Sequence, residues 1–211
     1  IGVIKMTQVT KAKAGEITEA MKRVAEKESV EVEFIRQGLA DGTIVIPANK
    51  NHHHLDPNGF GKGLSTKVNA NFGTSEDYQN LEKELKKLDA AVEAGADAVM
   101  DLSTGDKISE TRQSILESSN LPLGTVPLYQ ATVEILKQRQ AIVDLTTADF
   151  FEVIEKQAQD GVDFITVHCG LTLEGLNHLQ EEGRVTDVVS RGGAFTAGWM
   201  LHNNQENPLY E

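Results

Sequence analysis

The sequence contains a single cysteine, Cys169, among its 211 residues. One thiol excludes an intrachain disulfide, a four-thiolate zinc site and an iron–sulfur cluster held by this chain alone. The sequence also lacks a run of about 18 apolar residues, the length that a membrane-spanning helix needs. The apolar stretch at residues 1–6 is too short for the core of a secretory signal. We therefore expect a cytoplasmic protein with no membrane partner.

Positive charge is scarce as well. The 20 Lys and Arg residues are outnumbered by 32 Asp and Glu, which gives a net charge of −12. A chain of that charge is not attracted to nucleic acid or to anionic lipid, so we expect no nucleic-acid partner. Hydrophobic residues make up 39% of the sequence, enough for the core of a globular domain. A small molecule is the expected partner.

Residues 1–63 are predicted to form an N-terminal helical region. Apolar residues at helical spacing predict helices over 17–28 and 31–40, and Gly42 ends the second. A β-branched run at 43–46 stops at Pro47, and residues 49–63, rich in Asn, His and Gly, are predicted to be a loop.

From residue 64 onward, short apolar runs alternate with amphipathic stretches. Strands are predicted at 65–72, 98–102, 123–129, 163–167 and 185–189. Helices are predicted in the gaps, including one that Ser75 can cap and others at 109–117 and 148–159. This alternation predicts a parallel sheet covered by helices, either a doubly wound sheet or an eight-stranded β/α barrel.

Polar residues follow the predicted strands and favour the barrel. They are Asn71, Asp101, Ser103, Tyr129, Gln130, His168, Ser190 and Arg191. In β/α barrels the carboxyl ends of the strands form the rim that holds the active site. We therefore predict that residues 64–211 form the first part of a β/α barrel, with about five of its eight strands.

Several short motifs have more than one interpretation. The glycine-rich segment at 59–63 lacks Ser or Thr after Lys62, so it fails the P-loop pattern and is best read as a glycine turn. Three consecutive histidines, His52 to His54, do not converge easily on one metal ion, which favours a solvated loop. Cys169 is predicted to be a small buried residue, since no activating base is evident nearby.

His168 and the segment Ser190-Arg191-Gly192-Gly193 are the motifs that point to a ligand. His168 ends a predicted strand at the rim, as either a binding residue or a satisfied core histidine. The second segment offers a hydroxyl, a guanidinium and backbone amides, which suit an oxyanion such as phosphate; a structural arginine is the alternative.

Five segments, in this order and spacing, resemble the thiamin pyrimidine synthase family. They are KVNANFGTS at 67–75, GADAVMDLSTG at 95–105, GTVPLYQA at 124–131, GVDFITVH at 161–168 and VSRGG at 189–193. The resemblance runs from about residue 6 to residue 210. It differs at Phe60, Phe72, Asp187 and Ala194, where other residues are expected.

The resemblance implies a fold, an activity and a set of cofactors. The fold is a β/α barrel that follows an N-terminal helical region. The activity is a lyase reaction that converts 5-aminoimidazole ribotide to 4-amino-5-hydroxymethyl-2-methylpyrimidine phosphate with S-adenosylmethionine and a [4Fe–4S] cluster. The complete enzyme is expected to be a homodimer with a further divalent metal, zinc or iron. The ligands of cluster and metal are absent from this chain, so we expect a fragment or one half of a split enzyme.

The family's ribotide-binding residues fall on seven positions of this sequence. They are Asn71, Met100, Tyr129, His168, Ser190, Arg191 and Gly192. The resemblance assigns no catalytic residue to this chain. We predict that five of these side chains surround one cavity at the carboxyl ends of five neighbouring parallel strands: Asn71, Met100, Tyr129, His168 and Arg191.

Two alternatives stay open. The first is 5-hydroxybenzimidazole synthase, which starts from the same ribotide and makes the lower base of a cobamide. The second is a protein that binds the ribotide without chemistry, as a non-catalytic fragment or subunit.

Overall fold

The computed structural model describes residues 7–138 and 141–210. Its N-terminal region consists of three helices and a two-stranded antiparallel ribbon. These elements are α1 (Gln8–Lys13), α2 (Glu19–Glu28), α3 (Val32–Ala40), β1 (Ile44–Val45) and β2 (Phe60–Gly61). The predicted helices at 17–28 and 31–40 are therefore present, whereas α1 and the pairing of β2 were not predicted.

The sequence explains how these N-terminal elements begin and pack. The hydroxyl of Thr18 accepts a hydrogen bond from the Met21 amide and caps α2. Met21, Ile35 and Ile44 belong to one buried cluster that joins α2, α3 and β1. Gly61 has a φ of 149°, and a Cβ at this position would lie 2.2 Å from the Thr43 carbonyl oxygen. Only glycine allows β2 to pair so closely with the strand that precedes it.

A four-stranded parallel sheet forms the centre of the remaining chain. Its strands are β3 (Asn69–Phe72), β4 (Ala98–Asp101), β5 (Leu123–Thr125) and β6 (Phe164–Ile165). Each strand pairs with the next one along the chain, in the order β3-β4-β5-β6. Strands of a β/α barrel follow one another in the same way.

Six helices and a short 3-10 turn accompany the sheet. They are α4 (Leu81–Glu93), α5 (Ile108–Ser118), α6 (Pro127–Lys137), the turn Ile142–Asp144, α7 (Thr147–Asp160), α8 (Leu173–Glu182) and α9 (Arg191–Asn203). Leu88 of α4 and Ile115 of α5 pack on Val99 and Leu123 of the sheet. A second cluster around Trp199 joins α6, α7 and α9.

The start of α4 and the end of β5 differ from the prediction. Asn80, not Ser75, caps α4, because Ser75 instead forms a bridge with Tyr78. The predicted strand at 123–129 stops at Thr125, and Pro127 begins α6. Proline suits the first position of a helix because its φ is already helical and no amide hydrogen is needed there. Tyr129 consequently lies on a helix rather than at a strand end.

The strand predicted at 185–189 does not form. These residues are coil, and Val185 and Val189 are 106% and 83% exposed. A β-branched run becomes a strand only beside a neighbour that supplies backbone partners, and β6 has none on that side among the described residues. Arg191 therefore opens α9 instead of following a strand.

None of the described helices combines the length and apolar character that a membrane span requires.

Candidate substrate-binding site

Asn71 and Met100 lie side by side near the carboxyl ends of β3 and β4. They are register partners, so their side chains leave the same face of the sheet. Asn71 is exposed, and its side-chain oxygen accepts a hydrogen bond of 2.9 Å from the Asn69 amide group. Met100 is buried, and the Thr166 hydroxyl donates to its sulfur at 3.8 Å. This part of the rim thus offers one amide and one apolar thioether.

His168 follows β6 and packs against the first turn of α9. Its Nε2 lies 2.9 Å from the Ser190 hydroxyl, which caps α9 by accepting from the Gly193 amide. A Cβ at Gly192 would lie 2.6 Å from Cε1 of His168. Glycine at 192 is therefore what allows the imidazole to rest on the helix terminus. Burial lowers the pKa of His168, which favours the neutral ring.

Arg191 is the cation of the site. Its guanidinium carbon lies 5.5 Å from the centre of the Tyr129 ring, a cation–π arrangement that holds the side chain over α6. The side chain is exposed, and no carboxylate lies within salt-bridge distance of it in the described part of the chain. The guanidinium is thus available to an anionic ligand.

The five residues predicted to surround one cavity do not line the same cavity. A cavity of about 330 Å³ is lined by Tyr129 and Arg191, together with residues that follow β3 and β4. A larger cavity of about 740 Å³ is lined by Met100 and lies on the inner face of the sheet. Asn71 and His168 line neither of these two cavities, and Tyr129 and Arg191 stand on helices rather than at strand ends.

Some residues beside the smaller cavity were not predicted. Ser75, Glu76, Asp77, Thr104 and Thr132 also line it. The first four lie in the loops after β3 and β4, so their place just beyond two strand ends was the signal that could have identified them.

The structure corrects two of the motif predictions. His52 is buried and bonded to Asp163, whereas His53 and His54 are exposed, as expected for a solvated loop. Cys169 was predicted to be buried, but it is exposed because it lies in the turn between β6 and α8.

The described residues do not fit a metal or an iron–sulfur cluster. Within residues 7–138 and 141–210, no three His, Cys, Asp or Glu side chains are grouped so that they could hold a metal ion. The only thiol in the sequence is Cys169.

The fold and site define a parallel α/β protein whose polar residues gather at the carboxyl ends of its strands. The chain belongs to the radical SAM ThiC family, whose sequence model matches residues 7–211. This confirms the family resemblance that the five segments indicated.

Named relatives are similar to the chain over nearly its whole length. The phosphomethylpyrimidine synthase of Desulforamulus reducens is 61% identical over 206 residues, which cover 98% of this chain and 48% of the relative. Two proteins of Moorella thermoacetica match as well: a phosphomethylpyrimidine synthase at 58% identity over 97% of this chain, and the 5-hydroxybenzimidazole synthase BzaB at 53% over 98%. The matches cover 48% of each, so the chain spans about half the length of these relatives.

Proposed function

We propose that this chain is the ribotide-binding part of a phosphomethylpyrimidine synthase. The reaction converts 5-aminoimidazole ribotide to 4-amino-5-hydroxymethyl-2-methylpyrimidine phosphate. The names of the relatives at 58% and 61% identity support this activity. The single observation that carries the role of this chain is the first turn of α9, where His168 contacts Ser190 and Gly192 and where Arg191 is exposed.

The first turn of α9 suits the phosphate of the ribotide. The amide groups that open a helix have no acceptor within it, and the helix dipole adds partial positive charge. A phosphate at such a terminus accepts from these amides, and Arg191 can add two parallel charge-assisted bonds. The exposed guanidinium of Arg191 is already directed over Tyr129 rather than into a salt bridge.

The other residues suit the remainder of the ribotide. The ring of His168 and the hydroxyl of Tyr129 can hydrogen-bond the ribose or the heterocycle. Asn71 can bond the polar edge of the imidazole, and Met100 can pack on its face. In this arrangement the described residues bind and orient the substrate.

The complete protein is proposed to use S-adenosylmethionine, a [4Fe–4S] cluster and a divalent metal. A lone Cys169 cannot supply the thiolates of a cluster. Their ligands would therefore belong to residues outside this sequence, and this chain is not proposed to contact them. The further proposals that β3 to β6 belong to a closed β/α barrel and that the protein is a homodimer rest on the strand order and on the resemblance.

A second candidate is 5-hydroxybenzimidazole synthase, because BzaB is 53% identical to the chain. Both reactions use the same ribotide, so binding does not distinguish them. Mass analysis of the product of the complete protein does. A protein that binds ribotide and yields neither product would be the non-catalytic alternative.

The ribotide site is tested with Arg191→Ala. Replacement should weaken ribotide binding about 10- to 100-fold, since one or two charge-assisted hydrogen bonds are lost. Arg191→Lys should recover only part of the affinity, because an ammonium lacks the planar fork. Calorimetric titration with the ribotide measures this.

Arg184→Ala is the matched control. Arg184 is exposed in the coil before α9, so its removal changes the net charge equally without touching the helix terminus. Unchanged affinity in a folded Arg191→Ala protein would remove the α9 terminus from the site. The substrate assignment would then depend on Asn71, Tyr129 and His168.

A further inference from the structure

The turn that carries His168 is held by residues that follow α9. Asn207 is buried, with 3% of its surface exposed. Its side-chain amide donates to the carbonyl oxygens of His168 at 2.6 Å and Leu171 at 3.0 Å. Its side-chain oxygen accepts from the Leu209 amide at 3.1 Å. Both amide hydrogens and the oxygen of the Asn207 side chain are therefore in hydrogen bonds. They join the segment after α9 to the turn after β6.

Glu206 fixes the other end of the same turn. Its carboxylate accepts from the backbone amide of Leu173, the first residue of α8, at 3.1 and 3.3 Å. It also accepts from the amide of Asn207 at 2.8 Å. Residues 206 and 207 thus clamp the chain between β6 and α8.

The sheet itself does not hold His168. The last backbone bond from this region to β5 is the one that the Thr166 amide donates to Thr125. Among the described residues, the hydrogen bonds of His168 are those of its ring with Ser190 and of its carbonyl with Asn207. The ring meets the first turn of α9, and Asn207 sets the backbone from which that ring projects.

We infer that Asn207 is a positioning residue for ribotide binding, acting through His168. This inference rests on the proposed function, because it assumes that His168 contacts the ribotide. The side chain must be an amide of this length: Asp would set a carboxylate against two carbonyl oxygens, and Ala would leave both without their donor. Without the bridge, the imidazole is no longer fixed on Gly192 and Ser190.

The test is a double-mutant cycle between positions 207 and 168, measured by ribotide titration. Asn207→Ala should weaken ribotide binding about tenfold in the otherwise unchanged protein. A loss of this size lies within the range of interaction energies between residues in contact. In a His168→Ala background, Asn207→Ala should cause little further loss. An equal loss in both backgrounds would overturn the inference, because Asn207 would then act independently of His168.

A second readout does not depend on substrate. Asn207→Ala should move the NMR signal of the His168 ring, while the signal of exposed His178 on α8 stays in place. An unmoved His168 signal would overturn the positioning role even if affinity fell. If no variant and no parent protein binds ribotide, the proposed function fails, and the ring signal still decides whether Asn207 positions His168.

Asn203→Ala is the matched control. Asn203 also donates its side-chain amide to two carbonyl oxygens, those of Val143 at 2.9 Å and Trp199 at 3.0 Å. It does not touch the His168 turn, so its loss should lower the melting temperature without moving the His168 signal. If Asn207→Ala does not fold, Asn207→Gln keeps both donors on a longer side chain and should show a smaller change in the same direction.

Discussion

His52 and Asp163 form a buried pair that joins the N-terminal region to the sheet. The Nδ1 of His52 lies 2.7 Å from Asp163 Oδ2, and Nε2 lies 3.0 Å from the Ser119 carbonyl oxygen. A carbonyl and a carboxylate can only accept, so both ring nitrogens carry hydrogen. Asp163 also accepts from the amides of Asn49 and Leu123, each at 2.8 Å. The pair is therefore imidazolium with carboxylate.

The stabilising effect of His52 should depend on pH. Burial alone lowers the pKa of His52, but the hydrogen bond and charge of Asp163 outweigh it and raise this pKa above the usual 6.5. A raised folded-state pKa means that the stabilisation is fully present below the unfolded pKa and is lost as pH rises through the folded one. Relative to His52→Gln, the parent chain should be more stable by about 3 kcal/mol at low pH.

Urea unfolding of the parent and of His52→Gln, at pH values below and above 6.5, measures the difference in their free energies of unfolding. His53→Gln is the matched control, because it removes the same kind of ring from an exposed position of the same loop. A His52→Gln effect that stays constant with pH would show that the pKa of His52 is the same in the folded and unfolded chains, and an effect that grows as pH rises would show that folding favours the neutral ring.

The histidine run shows what the sequence could not reveal about single residues. His52, His53 and His54 are adjacent and chemically identical, and a solvated loop was the sound prediction for the group. His52 differs from the other two because it bonds to Asp163, which lies 111 positions away in the sequence. No local pattern encodes a contact of that range.

At the scale of elements, the sequence predicted the sheet better than the segments around it. Val99 and its neighbours form an apolar run that is buried on both faces, so β4 was found where predicted. The run at 123–129 has no periodicity that separates strand from helix, and Pro127 was the missed sign of a helix start. Asn71 and Met100 were therefore placed correctly, whereas Tyr129 was assigned to the wrong kind of element.

A buried polar network holds α6 in position. Arg112 of α5 is fully buried, pairs with Asp160 at the end of α7 and donates to the Gln130 side chain at 2.8 Å. Gln157 donates to the same Gln130 oxygen at 2.9 Å and accepts from the Thr125 hydroxyl at 2.6 Å. The network ties β5 to three helices, and Gln130 is the neighbour of Tyr129. The position of Tyr129 at the rim therefore depends on the buried hydrogen bonds of its neighbour Gln130.

Arg112→Met should destabilise the chain by about 3–5 kcal/mol, because it leaves buried acceptors and Asp160 without their cation. Lys156→Met is the control: Lys156 pairs with Glu134 at 3.1 Å on the surface, and its loss should cost less than about 1 kcal/mol. Chemical denaturation provides both values. An Arg112→Met protein as stable as its parent would mean that the network contributes no net stability.

At the scale of the whole molecule, the inner face and both edges of the sheet are open within residues 7–138 and 141–210. The larger cavity, of about 740 Å³, lies between the inner face of the sheet and the β1–β2 ribbon, with Val45, Phe60, Met100 and Phe164 among its walls. At the edges, Val68 beside β3 and Ile165 of β6 are 59% and 36% exposed. Unpaired strand edges with apolar residues invite further pairing. Since the chain spans 48% of its Desulforamulus reducens relative, we expect the other half of such a protein to cover these surfaces.

The expected outcome is association of the two halves in solution. When the chain is mixed with the separately produced C-terminal half of the Desulforamulus reducens relative, a 1:1 complex should elute in size-exclusion chromatography with light scattering. Its melting temperature should exceed that of the chain alone, because binding stabilises the folded state. Ile165→Lys should weaken the complex, since a charge at a strand edge opposes pairing, whereas Val92→Lys on the exposed side of α4 should not. Two folded halves that stay apart would mean that this edge and inner face are not the surfaces that the remaining half covers.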